Sequence, residues 1–278
     1  MALSIHTNYS SLITQTNLGK TNNALGTNQQ RLGTGFRINS AADDAAGLQI
    51  ATRLNAQSRG MDVAIRNTSD AVSLLQTGEG AFSEMTDIMQ RMKDLATQAA
   101  NDTNSADDRT ALQAEYDELS AEIGNIMSNT KYAGEALFTG GKFAAAMTFQ
   151  IGSSSAETLS LDLSTQLGDV TTAQTAIGTG TLDTAANAGT AMDELETALD
   201  AVGAMRAAFG ANINRLNHTA NNLSNMKDNT DMAKGRIMDA DFAKESANMS
   251  KNSMLLQSGI SMLRQAGQMP GMVMSLLG

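Results

Sequence analysis

Gly19-Lys20-Thr21 copies the tail of a phosphate-binding loop, where backbone amides cradle phosphates and the lysine reaches the terminal ones. Thr14 stands where that loop needs its first glycine and no strand precedes it, so the triplet reads as a solvated turn of helix. Gly178-Thr179-Gly180 lacks the later glycine and the helix of a dinucleotide site and reads as flexible loop. His6 and His218 are far apart, and no His-Glu-x-x-His pattern exists to bind zinc. The acid pairs Asp43-Asp44, Asp107-Asp108 and Glu194 with Glu196 sit near helix starts or on a polar face. There they complement helix dipoles and solvate the surface rather than share a proton. Eighteen methionines at core spacing are packing material. No catalytic, metal or cofactor-binding set converges, and the chain is expected not to be an enzyme.

What remains is surface chemistry. Asp87, Arg91, Asp94 and Gln98 make a polar stripe opposite Phe82, Met85, Met89 and Met92, with Leu95 beside it at i+4 from Arg91. Near the end of the chain Gln257, Ser261, Arg264 and Gln268 form a polar ribbon without the dense charge of a solvated helix face. Around that ribbon run two apolar stripes, Met249, Leu256, Ile260 and Leu263, and beside them Leu255, Met262, Ala266, Met269, Val273 and Leu276. One partner helix cannot cover both. The end of the chain is expected to have helices on two sides and water on the third.

The elements that position these residues follow from spacing. Residues 3–35 read as a weak helix: Leu18, Leu25 and Leu32 repeat every seven, while Ile5, Leu12, Gly19, Gly26 and Gly33 form the neighbouring column. Each interior glycine costs about 1 kcal/mol against alanine, so this helix is expected to order only against a partner, the end of the chain. A connector at 33–47 with caps at Ser40 and Asp43 leads into one long helix from about Asp44 to Ala100. Ser105 and Asp108 form a capping box that opens a helix with Leu112, Tyr116, Leu119, Ile123 and Ile126 inward. Residues 131–142 read as loop; alternation at Met147, Phe149, Ile151 and again at Leu159, Leu161, Leu163 predicts a β-hairpin. Residues 164–187, rich in Thr, Ala and Gly, show no clear element. Helical spacing returns from Met192 to about Ala233, with 235–241 linking it to the terminal helix. The fold class is mainly α, long antiparallel helices in coiled-coil-like bundles with a small β-hairpin region.

Composition agrees. With no Trp, three Tyr and seven Phe in 278 residues, Ala, Met, Leu and Ile must do the packing, and a single proline permits very long helices. The absence of Cys excludes a disulfide framework. The start Met1-Ala2-Leu3-Ser4-Ile5-His6 has no basic stretch before an apolar run, and no segment is apolar enough to span a bilayer. Neither a cleaved signal peptide nor membrane insertion is expected. Net charge is -10; residues 1–42 carry three cations and no acid, residues 246–278 two and no acid, so the stretch between carries -15. An acidic middle argues against nucleic acid, and weakly charged ends suit buried assembly surfaces.

Arg31-Leu32, the run Arg37-Ile38-Asn39-Ser40-Ala41-Ala42-Asp43-Asp44-Ala45-Ala46-Gly47, and Ser246-Ala247-Asn248-Met249-Ser250 strongly resemble bacterial flagellin. The resemblance extends through Leu74 to Asn101, Phe149 to Leu163, and Asn221 to Leu277. It implies a short flagellin without large outer domains. In that reading residues 1–40 with 239–278 form inner-tube helices, 41–142 with 186–238 the outer-tube helices, and 143–185 a hairpin and connector of the outer tube. Leu18, Leu25, Leu32, Met249, Leu256, Ile260 and Leu263 would then be assembly-interface residues, and Gln257, Ser261, Arg264 and Gln268 would line the central channel. The resemblance also implies an extracellular helical homopolymer for motility, and export by the flagellar secretion apparatus with its chaperone, meeting cap and junction proteins. It carries the contact with the animal Toll-like flagellin receptor onto Gln90, Arg91, Leu95, Gln98 and Glu115, though Met92 and Asp94 replace the more familiar Val and Glu. A hook-filament junction protein would share the terminal helices; the continuous match over residues 74–101 favours flagellin.

Overall fold

A computed structural model describes the backbone of residues 8–277 and side chains as far as Gln268. Its helices are α1 (Tyr9–Thr34), α2 (Ala45–Ala99), α3 (Ala106–Asn129), α4 (Ser164–Ile177), α5 (Ala185–Met238) and α6 (Phe242–Leu277). Between α3 and α4 lie the short pair β1 (Lys131–Tyr132) and β2 (Glu135–Ala136), a single 3-10 turn at Lys142–Ala144, and the hairpin β3 (Met147–Gln150) and β4 (Thr158–Leu161). The hairpin is antiparallel, with Phe149 opposite Leu159 and Met147 opposite Leu161. Two compact units emerge, residues 1–56 with 229–278, and residues 57–228.

In the unit of residues 57–228 the core is built from one stripe of each long helix. Phe82, Met85, Met89, Met92, Ala96 and Ala99 of α2 are buried together with Leu195, Val202, Met205, Phe209 and Leu216 of α5. From α3, Tyr116 and Ile123 are buried in the same core, and Leu112, Leu119 and Ile126 pack against it half-buried. Four phenylalanines meet at its centre: ring centroids lie 4.8 Å apart for Phe82 and Phe138, 5.7 Å for Phe82 and Phe209, and 5.2 Å for Phe143 and Phe209. Gly78 lets α2 approach them, since a β-carbon there would stand 3.1 Å from both the Phe143 and Phe209 rings.

Chain ends of the helices follow the local code. Ser105 and Asp108 close the reciprocal capping box at α3, the Ser105 backbone amide donating to the Asp108 carboxylate at 2.9 Å. Arg109 reaches back to donate to the Ala99 carbonyl at 2.9 Å and the Asn101 carbonyl at 3.2 Å, satisfying orphan groups where α2 ends. Gly35 ends α1 at φ 76°, a left-handed cap that glycine adopts without strain, and donates its N–H to the Arg31 carbonyl.

The structure adds elements that spacing did not assign. α4 occupies most of the Thr/Ala/Gly stretch and buries Leu167, Val170, Ala173 and Ile177, a helical stripe diluted by threonine and glycine. A pair of two-residue strands interrupts the expected loop at 131–142. α5 runs seven residues earlier than the first expected apolar position, Met192, and continues through Gly235 to Met238, so the link to α6 shrinks to residues 239–241.

Candidate assembly surfaces

α1 and α6 run antiparallel. At one end Asn8 Nδ2 donates to the Ala266 carbonyl at 2.6 Å, midway Leu18 packs on Gly259, and at the other end Arg31 Nη1 lies 3.2 Å from Glu245 Oε1. The seam residues recur with a seven-residue period on both helices. On α1 the heptad-spaced residues that are half-buried or buried are Ser11, Leu18, Leu25, Leu32 and Thr14, Thr21, Asn28, with Thr27 and Arg31 half-buried beside them. On α6 they are Glu245, Asn252, Gly259, Ala266 and Met249, Leu256, Leu263, with Asn248 and Ser253 half-buried beside them. With Leu18 at the level of Gly259, the α1 leucines fall opposite the small and polar column of α6. The Met249, Leu256, Leu263 column in turn falls opposite Thr14, Thr21 and Asn28. Bulky residues face small or polar ones rather than each other, so the helices interdigitate.

Leu18, Leu25, Leu32, Met249, Leu256 and Leu263 therefore stand together along one seam, as their spacing requires. Ile260 lies off it and is exposed. The column expected beside the α1 leucines is displaced: Leu12 is exposed, and Gly19, Gly26 and Gly33 have open space where a side chain would be, so these positions face outward. Ile5 falls outside the described residues. Spacing alone favoured apolar residues for the second column, whereas the structure uses Thr14, Thr21 and Asn28. Hydroxyls of Thr14 and Thr21 are satisfied within the helix, donating to the Ser10 and Asn17 carbonyls at 2.7 and 2.9 Å.

The outward faces are apolar to a degree unusual for a free surface. Tyr9, Leu12 and Ile13 on α1 and Met254, Leu255 and Met262 on α6 are all exposed, with Met254 at 65%. Ala266 alone of the second α6 stripe within the described side chains is buried; Met269, Val273 and Leu276 lie outside them. Gln257, Ser261, Arg264 and Gln268 are exposed together, the Ser261 hydroxyl donating to the Gln257 carbonyl at 3.1 Å.

On α2 and α3, Gln90, Arg91, Gln98 and Glu115 share an exposed surface. Arg91 joins the helices, its Nε and Nη2 donating to Glu115 Oε1 at 3.0 and 2.6 Å. Leu95 departs from expectation. At 1% exposure it belongs to the core beside Met92 and Ala96, because i+4 from Arg91 on this helix turns inward, and it takes no part in the surface group.

His218 lines an open groove of about 710 Å³ with Asn214, Arg215, Asn222 and Glu157. Among the described residues no group of three or more His, Cys, Asp or Glu converges on a point. No described helix is long and apolar enough to cross a membrane. The residues that sequence spacing passed over are Asn28, Arg31 and Glu245, a polar cluster within the seam. Glu245 carried a usable signal: it heads the column of Asn252, Gly259 and Ala266 at intervals of seven.

Comparison with known proteins bears on both ends of the chain. Residues 5–143 match the bacterial flagellin N-terminal helical region and residues 192–277 the bacterial flagellin C-terminal helical region. The chain is 33% identical to Flagellin A of Vibrio anguillarum over the whole of both chains. It is 40% identical to Flagellin of Halalkalibacterium halodurans over 89% of this chain and 90% of that one. A putative flagellar hook-associated protein from Vibrio parahaemolyticus shares the fold at 15% identity and a TM-score of 0.58, covering 71% of this chain and all of the other. With matched regions over most of its length and relatives above 30% identity end to end, the chain belongs to the bacterial flagellin family.

Proposed function

We propose that this chain is the structural subunit of an extracellular flagellar filament, assembling as a helical homopolymer that serves motility. The observation that carries the reading is the pair α1 and α6. Their shared seam is only partly apolar, yet their outward faces expose Tyr9, Leu12, Ile13, Met254, Leu255 and Met262. Burying such surface against further copies supplies the free energy that a seam of leucines set against small and polar residues lacks. Because the α1 and α6 faces are unlike, copies would add head to tail and the array would stay open, as a filament must. In this reading Leu18, Leu25, Leu32, Met249, Leu256, Ile260 and Leu263 serve the assembly interface. Gln257, Ser261, Arg264 and Gln268 turn an uncharged to weakly basic wall toward the channel through which subunits are exported. Export would use the flagellar apparatus with its chaperone, and cap and junction proteins would bound the filament.

Electron microscopy of purified chain after seeding, beside a form truncated after Glu245, tests the reading. Filaments from the full chain and none from the truncated one are expected. A full chain that stays monomeric and binds only filament ends would refute it in favour of a junction role.

We also infer that Gln90, Arg91, Gln98 and Glu115 form a recognition surface for the Toll-like flagellin receptor of animal hosts. The Arg91–Glu115 pair across α2 and α3 supports this by holding a charged group at a fixed place on an exposed face. Leu95, being buried, would act there by holding α2 in place rather than by touching the receptor. Receptor activation that persists undiminished in Arg91→Ala would overturn this part.

A further inference from the structure

We propose that Arg31 and Glu245 set the register of the α1–α6 seam, and that its leucines do not. The leucines cannot, because both sides repeat. Leu18, Leu25 and Leu32 face a column of small and polar residues, and Met249, Leu256 and Leu263 face Thr14, Thr21 and Asn28. A slide of one heptad, about 10 Å at 1.5 Å per residue, puts each leucine opposite another member of the same kind of column. Leu18, for example, would leave Gly259 for Asn252 or Ala266. Such a seam is weakly specified by apolar packing alone.

The charged pair does not repeat. Glu245 is the only acid between Phe242 and Leu277, and α1 has two cations, Lys20 and Arg31, of which Lys20 lies on the outward face. A slide in one direction carries Glu245 to the level of Ala24 and Leu25 and leaves Arg31 beyond the start of α6. The opposite slide sets Arg31 beside Asn252 and Glu245 past the end of α1. Either one strands a charge. Glu245 is 7% exposed, and breaking a buried pair by removing one partner is far more costly than never forming it.

The cluster also has the character of a specificity device rather than a stabiliser. Among the described residues Arg31 Nε, Glu245 Oε2 and Asn28 Nδ2 are buried without hydrogen-bond partners, so a buried Glu245 meets a half-buried Arg31 in an incompletely satisfied pair. A backbone ladder holds the same end, with the Arg37 N–H donating to the Met238 carbonyl at 2.6 Å and the Ala240 N–H to the Gly35 carbonyl at 2.9 Å. These rungs lie at the ends of α1 and α5, directly beside the charged pair, so the ladder and the pair hold the same register.

The chain contains no cysteine, so introduced pairs report register cleanly. Three full-length proteins would carry Leu18→Cys with Gly259→Cys, Asn252→Cys or Ala266→Cys, oxidised both free and after seeding into filaments. Intramolecular disulfides are then separated from intermolecular ones by mass. With Arg31 and Glu245 present, the Gly259 pair should dominate the slipped pairs by at least about a hundredfold, the leverage of a stranded buried charge at tenfold per 1.4 kcal/mol. Adding Arg31→Leu and Glu245→Leu together should bring the slipped pairs within about tenfold of the native one while far-UV helicity persists. Arg31→Leu alone should lower capture at Gly259 and Asn252, the two registers that bury Glu245 without its partner, and recovery of capture at those sites with the second substitution separates register from folding. Undiminished preference for the Gly259 pair in the double variant would overturn the proposal. Equal capture at all three sites with both charges present would overturn it too.

Discussion

Two glycines two residues apart on α2 should respond to the same substitution with opposite signs. Alanine at an interior helix position is favoured over glycine by about 1 kcal/mol, because glycine loses more backbone entropy on folding. At Gly80, which is exposed and has nothing within 4 Å of an added β-carbon, that gain is unopposed. At Gly78 the new carbon would press at 3.1 Å on the Phe143 and Phe209 rings, a few tenths of an ångström closer than ordinary contact. Whether the rings can yield decides the sign. Phe209 is fully buried and braced against Phe82 at 5.7 Å, and Phe143 is braced against Phe138 at 5.9 Å. A close-packed four-ring cluster has nowhere to move, and overpacking of this kind costs roughly 1–3 kcal/mol. Gly80→Ala should therefore raise unfolding stability by about 1 kcal/mol, and Gly78→Ala should lower it by about 1 kcal/mol net of the helix gain. Urea unfolding followed in the near-UV measures this, since every Phe and Tyr except Tyr9, Phe36 and Phe242 lies within residues 57–228. Shifts of the two variants in the same direction would refute the packing argument.

Tyr116 should prove dispensable as a tyrosine. Its hydroxyl is buried without a partner among the described residues, so Tyr116→Phe should be neutral or mildly stabilising at neutral pH by equilibrium unfolding. Burial, with Glu194 and Asp117 nearby, pushes the Tyr116 phenol up to about 12 from the usual 10. The folded state then holds a proton that the unfolded state releases, so stability is full below pH 10 and falls as pH rises toward 12; the Phe variant should lose less across that window. Ser105→Ala should cost about 1 kcal/mol by opening the capping box, read as a lower urea midpoint. The Ser105 hydroxyl and backbone amide hold the Asp108 carboxyl below its ordinary value. That contribution is present above the unfolded pKa and lost as acid protonates Asp108, so the wild-type advantage over Ser105→Ala should shrink on acid titration.

The parts of the fold legible in the sequence are those where one physical rule acts alone. The α2 stripe through Phe82, Met85, Met89 and Met92, the Ser105–Asp108 box and the Phe149–Leu159 hairpin each follow from period or capping chemistry, and each is present. α4 escaped because Leu167, Val170, Ala173 and Ile177 are separated by Thr and Gly, residues of low helix propensity, and tertiary burial overrides that local preference. Leu95 lies inside although Arg91 is outside because i+4 on a helix advances by about 40°, enough at the edge of a stripe to pass from surface to core.

The seam of α1 and α6 is obscured in the sequence for a different reason. Its leucine columns were plain, but an apolar search takes polar residues as the outside of a helix, and here Thr14, Thr21, Asn28 and Glu245 are the inside. That inversion makes sense for a surface whose partners arrive late. A pair of helices with leucines on both facing columns would be stable by itself and have little need of neighbours. Threonine, glycine and one incompletely satisfied ion pair leave the pair marginal, while Met254, Leu255 and Met262 wait uncovered on its far side. Replacing Thr21 with leucine, opposite Leu256, should therefore raise the helicity of the free chain in far-UV circular dichroism. It should also weaken the dependence of that helicity on chain concentration, and a variant whose helicity still rises with concentration as steeply as the parent's would contradict the argument.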